Sequence, residues 1–172
     1  EGQPQSLPLV NDGEVSDKTA VVIGPIKVGG PPPDLVVDDP RPQYPVGQSF
    51  GPELSLLGYD LSLAEPTMAQ FIFYWEVQAR PRTDYTTFLH LRDTDNRTVA
   101  QKDQPPAGGG YPTSLWEPGE IVVDEVILPV DQLPPGEYTP VIGLYEYASG
   151  MRLPVAGQPA DEVPLQPIEV GD

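Results

Sequence analysis

Prolines and glycines interrupt this chain so often that long helices are excluded. The 172 residues include 24 prolines and 17 glycines. Because proline lacks an amide hydrogen and clashes with the preceding helical turn, it breaks helices. The longest stretches without either residue are 67–80 and 82–104, and both carry β-branched and aromatic residues. Apolar runs recur between the interruptions at intervals of roughly 8–15 residues, a spacing typical of an all-β domain.

Alternation within these runs predicts individual strands. Residues 68–78 place Phe71, Phe73, Trp75 and Val77 on one face and mostly polar side chains on the other. That period of two is typical of a strand half-buried in a sheet. Similar arguments predict strands at 54–63, 85–92, 98–102, 120–128, 138–147 and 161–170. About seven strands with this spacing predict an immunoglobulin-like antiparallel β-sandwich.

A tyrosine near the start of a late strand supports the same fold. The run LPPGEY ends at Tyr138 and is followed by the alternating apolar residues Ile142 and Leu144. In sandwich domains such a tyrosine returns its hydroxyl to the backbone of the preceding crossover. Gly136 allows the tight turn that this geometry needs. We therefore predict that Tyr138 forms a structural tyrosine corner.

A motif near the start of the chain recurs at its end. Residues 7–29 read LPL, an acidic loop and GPIKVG, and residues 153–171 read LPV, an acidic loop and QPIEVG. A period of this length corresponds to one small β domain. We therefore predict that residues 1–29 are the terminal strand segment of a preceding repeat. Residues 30–45 are then a Pro-rich linker, and 46–171 the Ig-like sandwich.

The apolar run at 20–28 is an extra N-terminal strand on this interpretation. It must satisfy its backbone groups and bury its apolar side chains. We expect it to add to a sheet edge by β-augmentation. The edge belongs either to this sandwich or to a second copy, and the second case gives a strand-mediated homodimer.

Charge and composition exclude several classes of function. Twenty-six acidic and nine basic residues give a formal net charge of −17. This balance disfavours nucleic acid and anionic lipid as partners. Cysteine is absent, which removes disulfides, thiol catalysis and Cys-based zinc sites. No apolar run reaches about 18 residues, so we predict no direct membrane insertion.

Candidate catalytic and metal-binding residues have simpler interpretations. His90, the only histidine, lies between leucines on a predicted strand, and we expect it to be a packed or interface residue. Ser114 lacks the Gly-x-Ser-x-Gly context of a nucleophile elbow. Residues 93–96 (DTDN) begin like a calcium loop but lack its glycine and distant glutamate, which favours a turn. We predict no catalytic residue, no metal site and no cofactor, and therefore no enzyme.

Surface aromatics are the residues most suited to binding. Tyr111 and Trp116 lie in a long loop rich in proline and glycine, and Tyr74, Tyr145 and Tyr147 fall on strand faces opposite the core side chains. Flat rings of this kind can stack on sugars. They are also enriched at protein interfaces. These five residues are therefore candidates either for a glycan platform or for contact with a neighbouring module.

Four longer motifs resemble one group of bacterial proteins. They are LLGYDL at 56–61, DYTTFLHL at 84–91, YPTSLWEPGE at 111–120 and LPPGEY at 133–138. The group comprises Ig-like β-sandwich modules of uncharacterised exported or membrane proteins of Chloroflexus-type bacteria. These modules often lie C-terminal to membrane glycosyltransferases of the dolichyl-phosphate-mannose mannosyltransferase type. The resemblance implies architecture and an extracytoplasmic location but no catalytic residue.

The expected function follows from that resemblance and from the lack of a catalytic constellation. We expect a non-catalytic accessory or interaction module of a larger extracytoplasmic or membrane-anchored bacterial protein. Its expected partners are neighbouring modules of that protein. The alternative is a carbohydrate-binding module that uses the surface aromatics.

Overall fold

The computed structural model describes residues 9–11, 14–16, 30–63 and 67–171. Two short strands, β1 (Leu9–Asn11) and β2 (Glu14–Ser16), pair antiparallel with each other. The predicted strand at 20–28 lies outside the described residues. So does most of the segment assigned to a preceding repeat. The account below therefore concerns residues 30–63 and 67–171.

The remaining strands form two antiparallel sheets. The first sheet contains β3 (Tyr44–Phe50), β4 (Leu54–Ser62), β5 (Met68–Val77) and β8 (Ile121–Pro129), in that spatial order. The second contains β6 (Tyr85–Arg92), β7 (Thr98–Gln104), β9 (Gly136–Glu146), β10 (Val163–Pro164) and β11 (Ile168–Val170). Its order is β10–β9–β6–β7, and β11 also pairs with β9. The predicted all-β sandwich is confirmed. No helix in the described part of the chain has the length and apolar character needed to cross a membrane.

The core lies between the two sheets and follows the predicted alternation. Phe71, Phe73 and Trp75 on β5 are fully buried. The second sheet contributes side chains such as Leu89 and Ile142 to the same cluster. Fully burying one such large apolar side chain stabilises the fold by about 1.5–3 kcal/mol. The sandwich is therefore held mainly by this dry interior.

The tyrosine corner has the hydrogen bond that defines it. The Tyr138 hydroxyl donates to the Pro134 carbonyl at 2.8 Å, and the side chain is buried. The bond ties the start of β9 to the crossover that leads into it. The corner thus fixes the entry of the chain into the second sheet.

Part of the predicted linker also belongs to the sandwich. Val36 pairs with Val122, and the amide of Val123 donates to the Leu35 carbonyl at 2.8 Å. Residues 35–37 therefore extend the first sheet beyond β8. β3 begins at Tyr44, before the predicted domain start at residue 46, and forms the opposite edge of this sheet. An edge position suits Pro45, which has no amide to donate to a ladder.

A second, smaller cluster covers the outer surface of the second sheet. Phe88 lies outside the inter-sheet core, yet only 1% of its surface is exposed. The guanidinium of Arg152 lies 4.2 Å from the Phe88 ring centroid, a cation–π contact. Glu162 forms ion pairs with Arg92 at 2.6 Å and with Arg152 at 3.2 Å. The loop that follows β9 is thereby fastened to the sheet.

Gly143 is the point where this cluster meets the backbone of β9. A Cβ atom at this position would overlap the Phe88 ring and would lie 2.9 Å from the Asp161 carbonyl oxygen. The backbone conformation of Gly143 is one that any residue adopts, so the requirement for glycine is one of space.

Candidate functional site

A groove opens at one end of the second sheet, between the end of β9 and the connection from β7 to β8. Its volume is about 500 Å³, within the range of about 300–1,000 Å³ usual for ligand pockets. We call it the tyrosine groove. One side is lined by Asp84, Tyr85, Thr86, Asp103, Gln104, Tyr145 and Tyr147, and the other by Pro105, Pro106, Gly109, Pro112 and Thr113.

Two tyrosines at the end of β9 give the groove its aromatic surface. Tyr145 and Tyr147 are two residues apart, and both line the groove. Tyr147 is 78% exposed, the most exposed of the large hydrophobic side chains in the described residues. The Tyr147 ring is therefore available to a ligand in the groove.

Tyr145 is held in place by its neighbours. It pairs with Thr86 across β9 and β6, and its ring lies 6.3 Å from that of Phe88. The side chains of Asp103 and Thr86 lie near its hydroxyl. Burial, followed by the nearby Asp103 carboxylate, raises the pKa of Tyr145. The ring is therefore neutral and oriented before any ligand arrives.

The opposite wall is fixed by hydrogen bonds between distant parts of the chain. The Thr113 hydroxyl oxygen accepts from the Tyr85 amide at 2.8 Å and donates to the Thr83 carbonyl at 3.0 Å. The Ser114 amide donates to Asp84 Oδ1 at 3.1 Å. These bonds hold the far end of the connection against the start of β6. The groove is consequently preformed, which limits the ordering cost of binding.

The near end of the same connection is anchored by a carboxylate buried in the sandwich. Asp124 on β8 is fully buried, and it accepts hydrogen bonds from the Thr87 hydroxyl at 2.8 Å and from the Ala107 amide at 3.0 Å. Burial raises the pKa of Asp124, and the hydrogen bond from Thr87 and then that from the Ala107 amide oppose the rise. Asp124 thus connects both sheets to the groove wall.

Sequence reasoning missed Asp124, although a signal for it exists. In the run IVVDEVILP the residues Val122, Asp124 and Val126 fall on one face by the period of two. A single carboxylate on an otherwise apolar face must find partners or be destabilising. This pattern predicts a buried carboxylate that must be hydrogen-bonded, but it does not identify the hydrogen-bond donors.

Tyr111 and Trp116 are not surface rings. They are 3% and 0% exposed, and both belong to the core cluster. The Trp116 indole donates to the Tyr111 carbonyl at 2.8 Å, and the Tyr111 hydroxyl donates to Glu120 at 2.7 Å. The loop folds back over the end of the sandwich because these large rings gain more from burial than from exposure. Neither ring offers a face to a ligand in this structure.

Tyr74 is separated from the other candidates. It lies on the outer face of the first sheet, whereas Tyr145 lies on the outer face of the second. Its hydroxyl donates to Asp60 at 2.7 Å. Burial, followed by the hydrogen bond to Asp60 and the charge of that residue, raises the pKa of Tyr74 to about 12. The predicted set of five aromatics thus reduces to Tyr145 and Tyr147, with Tyr85 added to them by the structure.

The contacts of His90 and of residues 93–96 are those of a packed side chain and of a turn. His90 Nε2 lies 3.7 Å from Asp103 Oδ1, and its ring is 4.9 Å from that of Phe88. Burial, the largest effect, lowers the pKa of His90. Asp93 Oδ1 accepts the amides of Asp95 and Arg97 at 3.0 and 2.8 Å, so its carboxylate closes a turn. Within residues 30–63 and 67–171 no group of three or more His, Cys, Asp or Glu side chains is placed to hold a metal ion.

The fold and the groove define a two-sheet antiparallel β-sandwich with a preformed concave site at one end. Among solved structures, one titled "Crystal structure of the C-terminal domain of wzt" is similar to it. The match covers 77% of this chain and 83% of that one, with 18% identity and a TM-score of 0.49. Similarity at this level concerns the fold alone. No family model and no curated protein matches the sequence.

Proposed function

We propose that this chain is a non-catalytic binding module of a larger protein and that its tyrosine groove binds carbohydrate. The observation that carries the proposal is the pair Tyr145 and Tyr147 at the mouth of a groove that also contains Asp84, Asp103 and Gln104. The groove thus combines an exposed flat ring with polar side chains that can hydrogen-bond to sugar hydroxyls. The two expectations drawn from the sequence, an accessory module and a glycan platform, are combined in this proposal.

The chemistry of the groove suits sugars in two ways. The C–H faces of a pyranose are apolar and pack on aromatic rings, which Tyr147 supplies in an exposed position. Sugar hydroxyls donate to carboxylates and exchange hydrogen bonds with amides, which Asp84, Asp103 and Gln104 supply. Tyrosine also adds contact area at a low cost in conformational entropy.

The surroundings of His90 favour binding over catalysis. Nucleophilic catalysis needs a nucleophile within hydrogen-bond reach of a base that a third group orients. His90 lies next to Asp103, but the 3.7 Å separation exceeds a hydrogen bond. His90 does not line the groove, and no Ser or Thr hydroxyl of the described residues hydrogen-bonds to it.

We also propose that the module acts outside the cytoplasm, next to other modules of its parent protein. The resemblance of the four motifs to modules of exported and membrane proteins supports this location. Protease treatment of intact cells that express the full-length open reading frame tests it. Cleavage of the module in intact cells is expected, and protection until lysis would contradict the location without bearing on carbohydrate binding.

The binding proposal is tested with a glycan screen followed by titration calorimetry. We expect at least one glycan to bind, and Tyr147→Ala to weaken that binding by about tenfold or more, because an anchoring aromatic ring is lost. The matched control is Tyr74→Ala, which removes a tyrosine from the opposite sheet and should leave affinity unchanged. Thermal unfolding of each variant checks that the fold persists.

Two results would contradict the proposal. The first is a screen of neutral and anionic glycans in which nothing binds the folded chain. The second is binding that Tyr74→Ala weakens as much as Tyr147→Ala does, since the ligand would then not use the groove.

A further inference from the structure

We infer that the tyrosine groove selects uncharged sugars and rejects glycans that carry carboxylate, phosphate or sulfate groups. The inference rests on the proposed function, because it specifies the ligand of the same groove. It starts from the charges of the lining residues. Asp84 and Asp103 are the ionisable acidic groups, and the lining contains no Lys, Arg or His.

Two arginines on the outer face of the second sheet are engaged elsewhere. Arg92 and Arg152 both pair with Glu162, and the Arg152 guanidinium is stacked on Phe88. Neither arginine lines the groove. The groove lining itself therefore presents two carboxylates and no basic side chain.

An anionic group in this position is repelled at short and at long range. Like charges a few ångströms apart in a partly desolvated site repel strongly. The chain as a whole carries a formal net charge of −17, which also slows the approach of anions. Sites that bind carboxylate or phosphate groups usually provide an arginine fork or a lysine, and this groove provides neither.

The uncharged part of the lining points to the same class of ligand. Pro105, Pro106 and Pro112 line the groove together with the tyrosine rings. Apolar surface from prolines and aromatic rings favours the C–H surfaces of a neutral pyranose. The carboxylates of Asp84 and Asp103 then accept hydrogen bonds from its hydroxyls, and such bonds to ionised acceptors are the stronger kind.

The test uses matched pairs of oligosaccharides that differ only at C6. Mannose, glucose and galactose oligosaccharides are each compared with the corresponding uronic acid form, by calorimetry on the intact chain. We expect the neutral member of a pair to bind, and the oxidised member to bind at least about tenfold more weakly at low ionic strength. The ratio should shrink as salt is added, because salt screens charges near the surface.

Asp84→Asn and Asp103→Asn provide the matched variants. Asparagine at position 84 keeps an acceptor oxygen for the Ser114 amide, and at both positions it removes the negative charge. The double variant should narrow the preference for the neutral sugar by severalfold, with an unchanged thermal midpoint. Equal or tighter binding of the oxidised sugars by the native chain would overturn the inference and leave the proposed function intact. Failure of every pair to bind would overturn both.

Discussion

The contact between Gly143 and Phe88 makes a quantitative prediction about stability. Phe88 is 1% exposed, and the Arg152 guanidinium packs against its ring at 4.2 Å. A Cβ atom at residue 143 would overlap that ring and would approach the Asp161 carbonyl oxygen to 2.9 Å. Gly143→Ala therefore forces either the ring or the backbone of β9 to move.

The expected loss of stability follows from the displacement of the Phe88 ring and from the contact with Arg152 that the ring loses. Carbon atoms in contact prefer separations of about 3.5–4.0 Å, so the ring must shift by about 1 Å or more. Overpacking of this kind costs about 1–3 kcal/mol, and loss of the contact to Arg152 adds about 0.5–2 kcal/mol. We therefore expect Gly143→Ala to lower the free energy of unfolding by about 1.5–5 kcal/mol.

Urea denaturation followed by tryptophan fluorescence measures this change. Trp75 and Trp116 are both fully buried, so unfolding exposes both indoles. Gly136→Ala on the same strand is the matched control, because no atom lies within 4 Å of a Cβ placed there. Gly136 also has no left-handed backbone conformation, so the turn before Tyr138 does not need the glycine that the sequence suggested. We expect that substitution to change the free energy of unfolding by no more than about 0.5 kcal/mol.

A double-mutant cycle identifies the cause of the loss. Phe88→Leu removes the part of the ring that the new methyl group meets. If the overlap causes the loss, Gly143→Ala should cost at least about 1 kcal/mol less in the Phe88→Leu background. The approach to Asp161 persists in both backgrounds, so some loss remains. Strictly additive costs, or equal effects of alanine at 143 and at 136, would refute the reasoning.

Two further predictions concern residues that hold the fold around the groove. Tyr138→Phe should cost about 0.5–1.5 kcal/mol in urea denaturation, because the hydrogen bond from the Tyr138 hydroxyl to the Pro134 carbonyl is lost; an unchanged midpoint would contradict the tyrosine corner. The free energy of unfolding of the Asp124→Asn variant should rise relative to that of the native chain as pH rises from about 4 to about 8. The folded-state pKa of Asp124 is raised, so its favourable contribution is complete below the unfolded pKa and is lost as pH rises through the folded one. Denaturation midpoints that change in parallel for the two proteins across this range would contradict that account.

Much of the fold could be predicted from alternation alone. The strand at 85–92 was predicted at its observed bounds, and the buried face of β5 follows the predicted set beginning at Phe71. These elements depend on local sequence and on the side chains that one face must bury. The tyrosine corner is equally local, because Tyr138 and Pro134 are four residues apart.

The groove could not be predicted in the same way, because long-range contacts build it. Ser114 bonds to Asp84 across 30 residues, and Ala107 bonds to Asp124 on a strand of the other sheet. A connection rich in proline and glycine is predicted to be exposed, so Tyr111 and Trp116 were expected at the surface. The connection instead folds back over the end of the sandwich. Which rings remain outside is decided by that packing and not by their position in the sequence.

The connection from β7 to β8 is hydrogen-bonded to the rest of the fold at its two ends, and this affects how its ligand preference can be changed. Its two ends are hydrogen-bonded to Asp124 on β8 and to Asp84, which immediately precedes β6. The exposed residues 108–110 between these two points can therefore be changed, in the laboratory or by natural variation, while Tyr111 stays buried in the core. We expect a library restricted to residues 108–110 to alter ligand preference much as the hypervariable loops of antibody domains do.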